Sequence, residues 1–271
     1  MTYQSLYRKH RPQKFGEVVG QEHVTTALMN AVREDRVGHA YLFSGPRGTG
    51  KTTSARLLAK ALNCTNPGAD AEPCGECDSC AEIARGRESA TVIERDAASA
   101  RGVEDMRELL RGVDLSVPGR RKVYILDEVH MLTDAASNTL LKTLEEPLSH
   151  VVFVLATTEP EKVLATIRSR TQHFQFSLLP TEQIAEHLAD VAKREDVDAD
   201  PEALRIIARR GAGSVRDSLS ILDQALALGD GALDAERVRE LFEVTPFGRR
   251  REVLDAVAGE DAAGALSLIH I

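Results

Sequence analysis

Residues 45–52 read Gly45-Pro46-Arg47-Gly48-Thr49-Gly50-Lys51-Thr52. This is the G-x-x-x-x-G-K-[ST] spacing, in which glycines let the backbone curl until several N–H groups point at one phosphate chain. Lys51 is placed to reach β/γ-phosphates, and the Thr52 hydroxyl to bind Mg²⁺. Thr53 carries the loop into a helical stretch whose first turn adds the positive end of its dipole. Gly45 to Thr53 are therefore the candidate phosphate-binding residues. A second group is Val123-Tyr124-Ile125-Leu126-Asp127-Glu128, an apolar run ending in two carboxylates. Beside a phosphate loop, Asp127 suits a magnesium ion held through its water shell, and Glu128 suits the orientation and polarisation of an attacking water. A third is Val154-Leu155-Ala156-Thr157-Thr158, where Thr158 or Thr157 could hold the lytic water. The alternative for these threonines is a strand-end cap.

Two arginines add possible charge stabilisation at a transferring phosphoryl group. Arg170 follows Ile167-Arg168-Ser169, and Arg216 sits in Gly213-Ser214-Val215-Arg216-Asp217. Ser214 and Asp217 make a capping-box-like helix start, where a cation opposes the dipole and hints at an anionic partner. A surface ion pair is the alternative for each arginine. All four cysteines, Cys64, Cys74, Cys77 and Cys80, fall within 17 residues as C-x₉-C-x₂-C-x₂-C. Cys-x-x-Cys spacing turns two thiolates onto one ion, and four thiolates complete a tetrahedron with no open position. The expectation is a structural zinc site. Two disulfides are the rival, disfavoured in a reducing cytosol.

These residues need a scaffold that brings strand ends together. Strands are expected at 39–43, 91–94, 122–126, 151–156 and 172–176, and helices at 22–34, 52–62, 103–111 and 134–146, the last stopped by Pro147. The near-continuous apolar runs at 123–126 and 151–155 suit strands covered on both faces in a parallel sheet. The alternation argues an α/β fold: a P-loop domain with a parallel five-stranded sheet over residues 1–178, with a zinc-binding insert at about 63–82. After about Leu179 the strands stop. Helical runs opening at Pro180, Asp200-Pro201 and Gly213-Ser214 make a small three-helix lid domain over 179–243. Thr245-Pro246-Phe247-Gly248 reads as a hinge, and 244–271 as the start of a truncated helical third domain.

The 271 residues, with 42% hydrophobic and 28% charged content, suit one large or two smaller globular domains. No apolar stretch approaches the ~20 residues of a membrane span. No signal-peptide pattern opens the chain, so the default location is cytoplasmic. The formal net charge of −8 argues against a general nucleic-acid binder. It is uneven, however: residues 1–60 hold ten Lys/Arg and four Asp/Glu, a net of +6, against −14 for the rest. A basic face for a phosphate backbone and a merely solvated surface fit that imbalance equally.

Taken in order, these segments resemble the gamma/tau subunits of bacterial DNA polymerase III clamp loaders, a family of AAA+ ATPases. The resemblance runs from Tyr7-Arg8-Lys9-His10-Arg11-Pro12, Phe15 and Val18-Val19-Gly20-Gln21 through the phosphate loop and the cysteine insert. It continues through Asp127-Glu128-Val129-His130-Met131-Leu132, Leu140-Leu141-Lys142-Thr143-Leu144-Glu145-Glu146-Pro147, Ala156-Thr157-Thr158, Ser169-Arg170 and the 213–217 segment. It covers about residues 3–245. It implies that Tyr7, Arg8, Val18 and Val19 border the adenine. It makes Arg170 an arginine finger acting on a neighbouring subunit's ATP, and Arg216 a second sensor within its own chain. Thr171 replaces the cysteine usual after the finger. The resemblance also implies ATP and Mg²⁺, a hetero-pentamer with related AAA+ chains, a sliding clamp, and primed DNA read by backbone and shape. Polymerase and helicase contacts belong to C-terminal domains absent from this chain. The implied function is an ATP-hydrolysing motor subunit that opens and loads the clamp during DNA replication, with no polymerase chemistry of its own. No second carboxylate cluster exists for two-metal nucleotidyl transfer.

Three alternatives stay open in the sequence. One is a non-hydrolysing structural subunit of the same assembly, opposed by the intact Lys51, Asp127 and Glu128. Another is a branch-migration helicase of the same superfamily, opposed by the cysteine insert and the segment at 140–147. The third is a zinc-dependent interaction module whose P-loop only senses nucleotide.

Overall fold

The structure, a computed structural model, describes residues 3–68, 70–86, 89–228, 232–242 and 247–269. The chain divides into two compact units, Arg8–Leu179 and Met1–Tyr7 with Pro180–Ile271.

The elements run α1 (Leu6–Lys9), α2 (Glu22–Arg33), β1 (Ala40–Ser44), α3 (Lys51–Asn63), α4 (Asp78–Ala84), β2 (Val92–Asp96), α5 (Val103–Leu110), β3 (Lys122–Asp127), α6 (Asp134–Glu145), β4 (Val151–Thr157), α7 (Ala165–Arg168) and β5 (Gln172–Gln175). The five strands form one sheet in the order β2-β3-β4-β1-β5, and every neighbouring pair is parallel. Side chains alternate across a strand, so β1, β3 and β4 each feed two cores. On one face Tyr41, Phe43, Val123, Ile125, Val152 and Val154 pack with Val24 and Leu28 of α2 and Ala55, Leu57 and Leu58 of α3. On the other, Leu42, Tyr124, Leu126, Phe153 and Leu155 pack with Met106 of α5, Leu140 and Leu144 of α6, and Ile167 of α7. All five residues of β1 and all seven of β4 are buried. Burying each such Leu, Val or Phe contributes roughly 1.5–3 kcal/mol.

The register decides where chemistry can occur. Ser44 pairs with Thr157, and Leu126 with Leu155, so the carboxyl ends of β1, β3 and β4 finish side by side. The chain crosses from β1 to β2 at the far edge, returns through β3 and β4, and then passes to β5 beyond β1, leaving a crevice at those ends, the usual ligand position in an open parallel sheet.

The second unit holds α8 (Thr181–Arg194), α9 (Pro201–Arg210), α10 (Val215–Leu228) and α11 (Ala235–Leu241). Asp200 caps α9 by accepting from Glu202 N at 2.9 Å, with Pro201 in the first turn. Ser214 Oγ accepts from Asp217 N at 3.2 Å at the start of α10. One expectation is corrected here: strands do not stop after Leu179. Asp198–Ala199 (β6) and Ala232–Leu233 (β7) form a two-stranded parallel pair. A pair so short needs only the backbone groups of two loops, which no apolar pattern announces. Two more helices follow, α12 (Phe247–Ala258) and α13 (Ala262–Ile269). Of the expected hinge, Thr245 and Pro246 lie outside the described residues.

Candidate functional site

The phosphate loop joins β1 to α3. Gly45 has φ +138°, and a Cβ there would stand 2.2 Å from the Phe176 carbonyl oxygen. Only glycine lets the loop pass this close to the chain leaving β5. Gly50, at φ +103° and in the left-handed region, turns the backbone into the first residue of α3. A Cβ on Gly50 would lie 3.8 Å from Val18 Cγ1, so the Val18 side chain borders the loop. Thr49 is buried, and its hydroxyl donates to Pro46 O at 2.9 Å.

Lys51 is 6% exposed and donates its ammonium to Gly45 O at 2.7 Å and Pro46 O at 2.8 Å. Burial holds its pKa below the ordinary lysine value, while the negative fields of Glu128 and Asp127 act the other way. The lysine thus rests against loop carbonyls with two acids in range. Thr52 Oγ1 donates to Asp127 Oδ2 at 2.8 Å. The two candidate magnesium ligands, 75 residues apart in the chain, are therefore in direct contact.

Glu128 adopts φ +48°, ψ +46°, a left-handed backbone uncommon for a residue with a side chain. Its Oε2 accepts from Thr158 N at 3.2 Å and Thr158 Oγ1 at 3.0 Å. Thr157 is fully buried, and its Oγ1 lies 3.0 Å from His130 Nδ1. Of the two threonines, Thr158 is thus the one on the acid. His130 also faces Glu128 Oε2 at 3.4 Å and, through Nε2, Glu159 Oε1 at 3.2 Å. Lys162 pairs with Glu159 at 2.6 Å. Sequence reasoning did not single out His130 or Glu159. A histidine two residues past an acid carries no spacing signal, and the sheet alone brings 128, 130 and 157–159 together.

Arg170 lies apart from this cluster in its contacts. Its Nη2 pairs with Glu145 Oε1 at 2.8 Å and its Nη1 donates to Thr166 O at 2.9 Å. In the second unit, the Arg216 guanidinium sits over the Tyr7 ring at 5.0 Å, a cation–π distance. Arg8 and Arg47 are exposed, and Val19, Thr52 and Thr53 are half-buried.

The four cysteine sulfurs lie within 4.8 Å of one another, and none is in a disulfide. Cys74 N donates to Cys64 Sγ and Cys77 N to Cys74 Sγ, each at 3.3 Å. Burial pushes the Cys80 and Cys64 thiols up. Burial acts upward on Cys77 too, but hydrogen bonds from Thr65 and Cys80 outweigh it and bring it down to about 6. Four convergent free thiols fit a four-coordinate metal, and the rival pair of disulfides is not formed.

Comparison with known proteins extends this picture. Residues 20–180 match the family described as DNA polymerase III, delta subunit. Residues 183–231 match the DNA polymerase III clamp loader subunit, ATPase lid domain. The chain is 48% identical to the Escherichia coli (strain K12) DNA polymerase III subunit tau over 271 residues, all of this chain and 42% of that protein. It is 49% identical to the Mycobacterium tuberculosis (strain ATCC 25618 / H37Rv) subunit gamma/tau over 272 residues, 98% of this chain and 46% of that protein. It is 43% identical to the Buchnera aphidicola subsp. Acyrthosiphon pisum (strain APS) subunit gamma, over all of this chain and 74% of that protein. It thus spans less than half the length of the tau and gamma/tau relatives. The first family description says delta, but whole-chain identity of 43–49% points to gamma/tau, and it samples more residues. Among solved structures, the Thermotoga maritima RuvB Holliday junction branch migration motor aligns with TM-score 0.63 at 21% identity, covering 95% of this chain and 85% of that one. At that identity the likeness is one of fold.

Proposed function

The chain belongs to the gamma/tau clamp-loader subunits of bacterial DNA polymerase III, and from that premise we propose that it is an ATP-hydrolysing motor subunit that opens the sliding clamp and loads it onto primed DNA. The observation that carries this is the Thr52–Asp127 contact at 2.8 Å, with Lys51 on one side and Glu128 held by Thr158 on the other. The phosphate loop and the acid pair occupy one crevice.

In this reading Gly45–Thr52 cradle the triphosphate, and Lys51 leaves its loop carbonyls for the β/γ-phosphates. Thr52 and Asp127 would hold Mg²⁺, which would supply charge neutralisation at the phosphates. Glu128 takes the proton of the attacking water, and Thr158 holds the carboxylate and reads its state. Val18 and Val19 border the base, with Tyr7 and Arg8. Arg216 is the second sensor. Arg170 acts on a neighbouring subunit's ATP, where a guanidinium is worth about 10³–10⁵ in rate. Its tie to Glu145 must then open on assembly. Cys64, Cys74, Cys77 and Cys80 hold a structural Zn²⁺.

The domains follow as 1–178 ATPase, 179–243 lid and 244–271 the start of a helical collar. Partners are related AAA+ chains in a hetero-pentamer, the clamp, and primed DNA read by shape and phosphate. The location is cytoplasmic. Among the described residues no helix is long and apolar enough to cross a membrane.

The test is ATP turnover with and without primed DNA, clamp and partner subunits. Stimulation by all three, lost in Lys51→Ala, is the expected result. Nucleotide binding without stimulated turnover would instead favour a sensing module.

A further inference from the structure

The cysteine module reaches back to the start of the ATPase unit through one side chain. Glu72, two residues before Cys74, spreads its carboxylate over two backbone donors: Phe15 N to Oε2 and Gly16 N to Oε1, both at 2.9 Å. These N–H groups open the short 3₁₀ turn Phe15–Glu17, and the turn closes with Val18 N on Phe15 O at 3.1 Å. Phe15 and Val18, 1% and 8% exposed, are packed into the α2/α3 face of the core, and Val18 borders Gly50 of the phosphate loop. A second tie runs in parallel. Lys60 of α3, 2% exposed, donates to Gln13 Oε1 at 2.5 Å. Glu72 itself is held by a local turn in which Gly68 N donates to Glu72 O at 2.8 Å. That turn lies in the loop closed by Cys64 and Cys74.

We propose that Glu72 is a positioning residue that makes the four-cysteine module a brace for the base side of the nucleotide pocket. A metal drawing Cys64 and Cys74 together fixes the ten-residue step between them, and with it Glu72. Glu72 fixes the Phe15–Glu17 turn, and that turn sets where Val18 stands beside the phosphate loop. Hydrogen bonds from backbone N–H to a carboxylate are among the stronger and more directional contacts, so the brace is stiff. Loss of the metal would loosen the base side and leave the phosphate side, held by β1 and α3, in place. This inference rests on the nucleotide-pocket reading above.

The experiment uses the full chain and two probes, a fluorescent ADP analogue and tripolyphosphate, both without Mg²⁺ so that a zinc-selective chelator can be applied. In Glu72→Ala the ADP analogue should bind roughly five- to twentyfold more weakly, the scale expected for losing two charge-assisted hydrogen bonds in part. Tripolyphosphate, which meets only the loop, should bind as in wild type. Chelation should weaken ADP binding in wild type to a similar degree and add less than about twofold in Glu72→Ala. Glu72→Gln, which keeps one acceptor and guards against a folding defect, should fall between. Wild-type ADP affinity in Glu72→Ala, an equal chelation effect in both proteins, or parallel loss of tripolyphosphate binding would each overturn the brace. Failure of wild type to bind either probe would instead overturn the pocket reading and the brace with it.

Discussion

Thr158 donates both its backbone N–H and its hydroxyl to a single oxygen of Glu128, at 3.2 and 3.0 Å. The acid expected to activate water is thus tethered to the end of the neighbouring strand, with its backbone in a left-handed conformation and His130 3.4 Å from the same oxygen. Thr158 would then fix where that carboxylate stands for the attacking water.

Glu128→Gln should therefore keep ATP affinity within about threefold of wild type and lower turnover by about 10²- to 10³-fold. Thr158→Val, which removes only the hydroxyl, should keep binding and lower stimulated turnover by roughly tenfold. Single-turnover hydrolysis beside equilibrium binding separates the two effects. A large loss of affinity in either variant would remove the residue from the chemical step.

Lys51 is buried with its pKa held below 10.5, chiefly by desolvation. For a base this sign means that the folded state binds the proton less well than the unfolded chain. The charged lysine therefore opposes folding at neutral pH, and the penalty fades as pH rises towards 10.5. Nucleotide-free Lys51→Met should melt no lower than wild type at pH 7, and its advantage should shrink at alkaline pH. The same variant should lose the rise in melting temperature that ATP gives wild type. A lower melting temperature without nucleotide would show that the lysine's bonds to Gly45 and Pro46 outweigh its desolvation.

Arg170 is paired with Glu145 in the single chain. In the assembled loader Arg170→Ala should leave ATP binding intact and slow hydrolysis at least a hundredfold. Glu145→Ala, which frees the guanidinium, should leave turnover unchanged or raise it. If both variants lose turnover equally, the ion pair itself is the working unit and the finger role falls.

Gly45→Ala would force a methyl group against the Phe176 carbonyl at 2.2 Å, where Phe176 N also bonds Ser44 O at 2.7 Å. Either the loop or the end of β5 must shift. Thermal or denaturant melting should show a loss of about 3 kcal/mol or more. A wild-type melt would mean that the loop relaxes without disturbing the sheet.

Local pattern was enough for the five strands, their parallel arrangement and the four longer helices that cover them. Buried strands need unbroken apolar runs, and helices need caps and a 3.6-residue stripe, all of which are written along the chain. The phosphate loop and the cysteine cluster were legible for the same reason, since each is contiguous and its spacing is its chemistry. Contacts between distant segments were not legible in this way. Thr52 meets Asp127, Thr158 meets Glu128, His130 bridges to Thr157 and Glu159, Arg170 meets Glu145, and Glu72 reaches Phe15 and Gly16. Each joins residues that the fold brings together from distant segments, and a side chain's distant partner leaves no periodic mark in its own segment. Residue types and spacing determined what chemistry the chain could do, and the tertiary structure alone decided which groups hold one another, because hydrogen bonds act over about 3 Å in space whatever the separation along the chain.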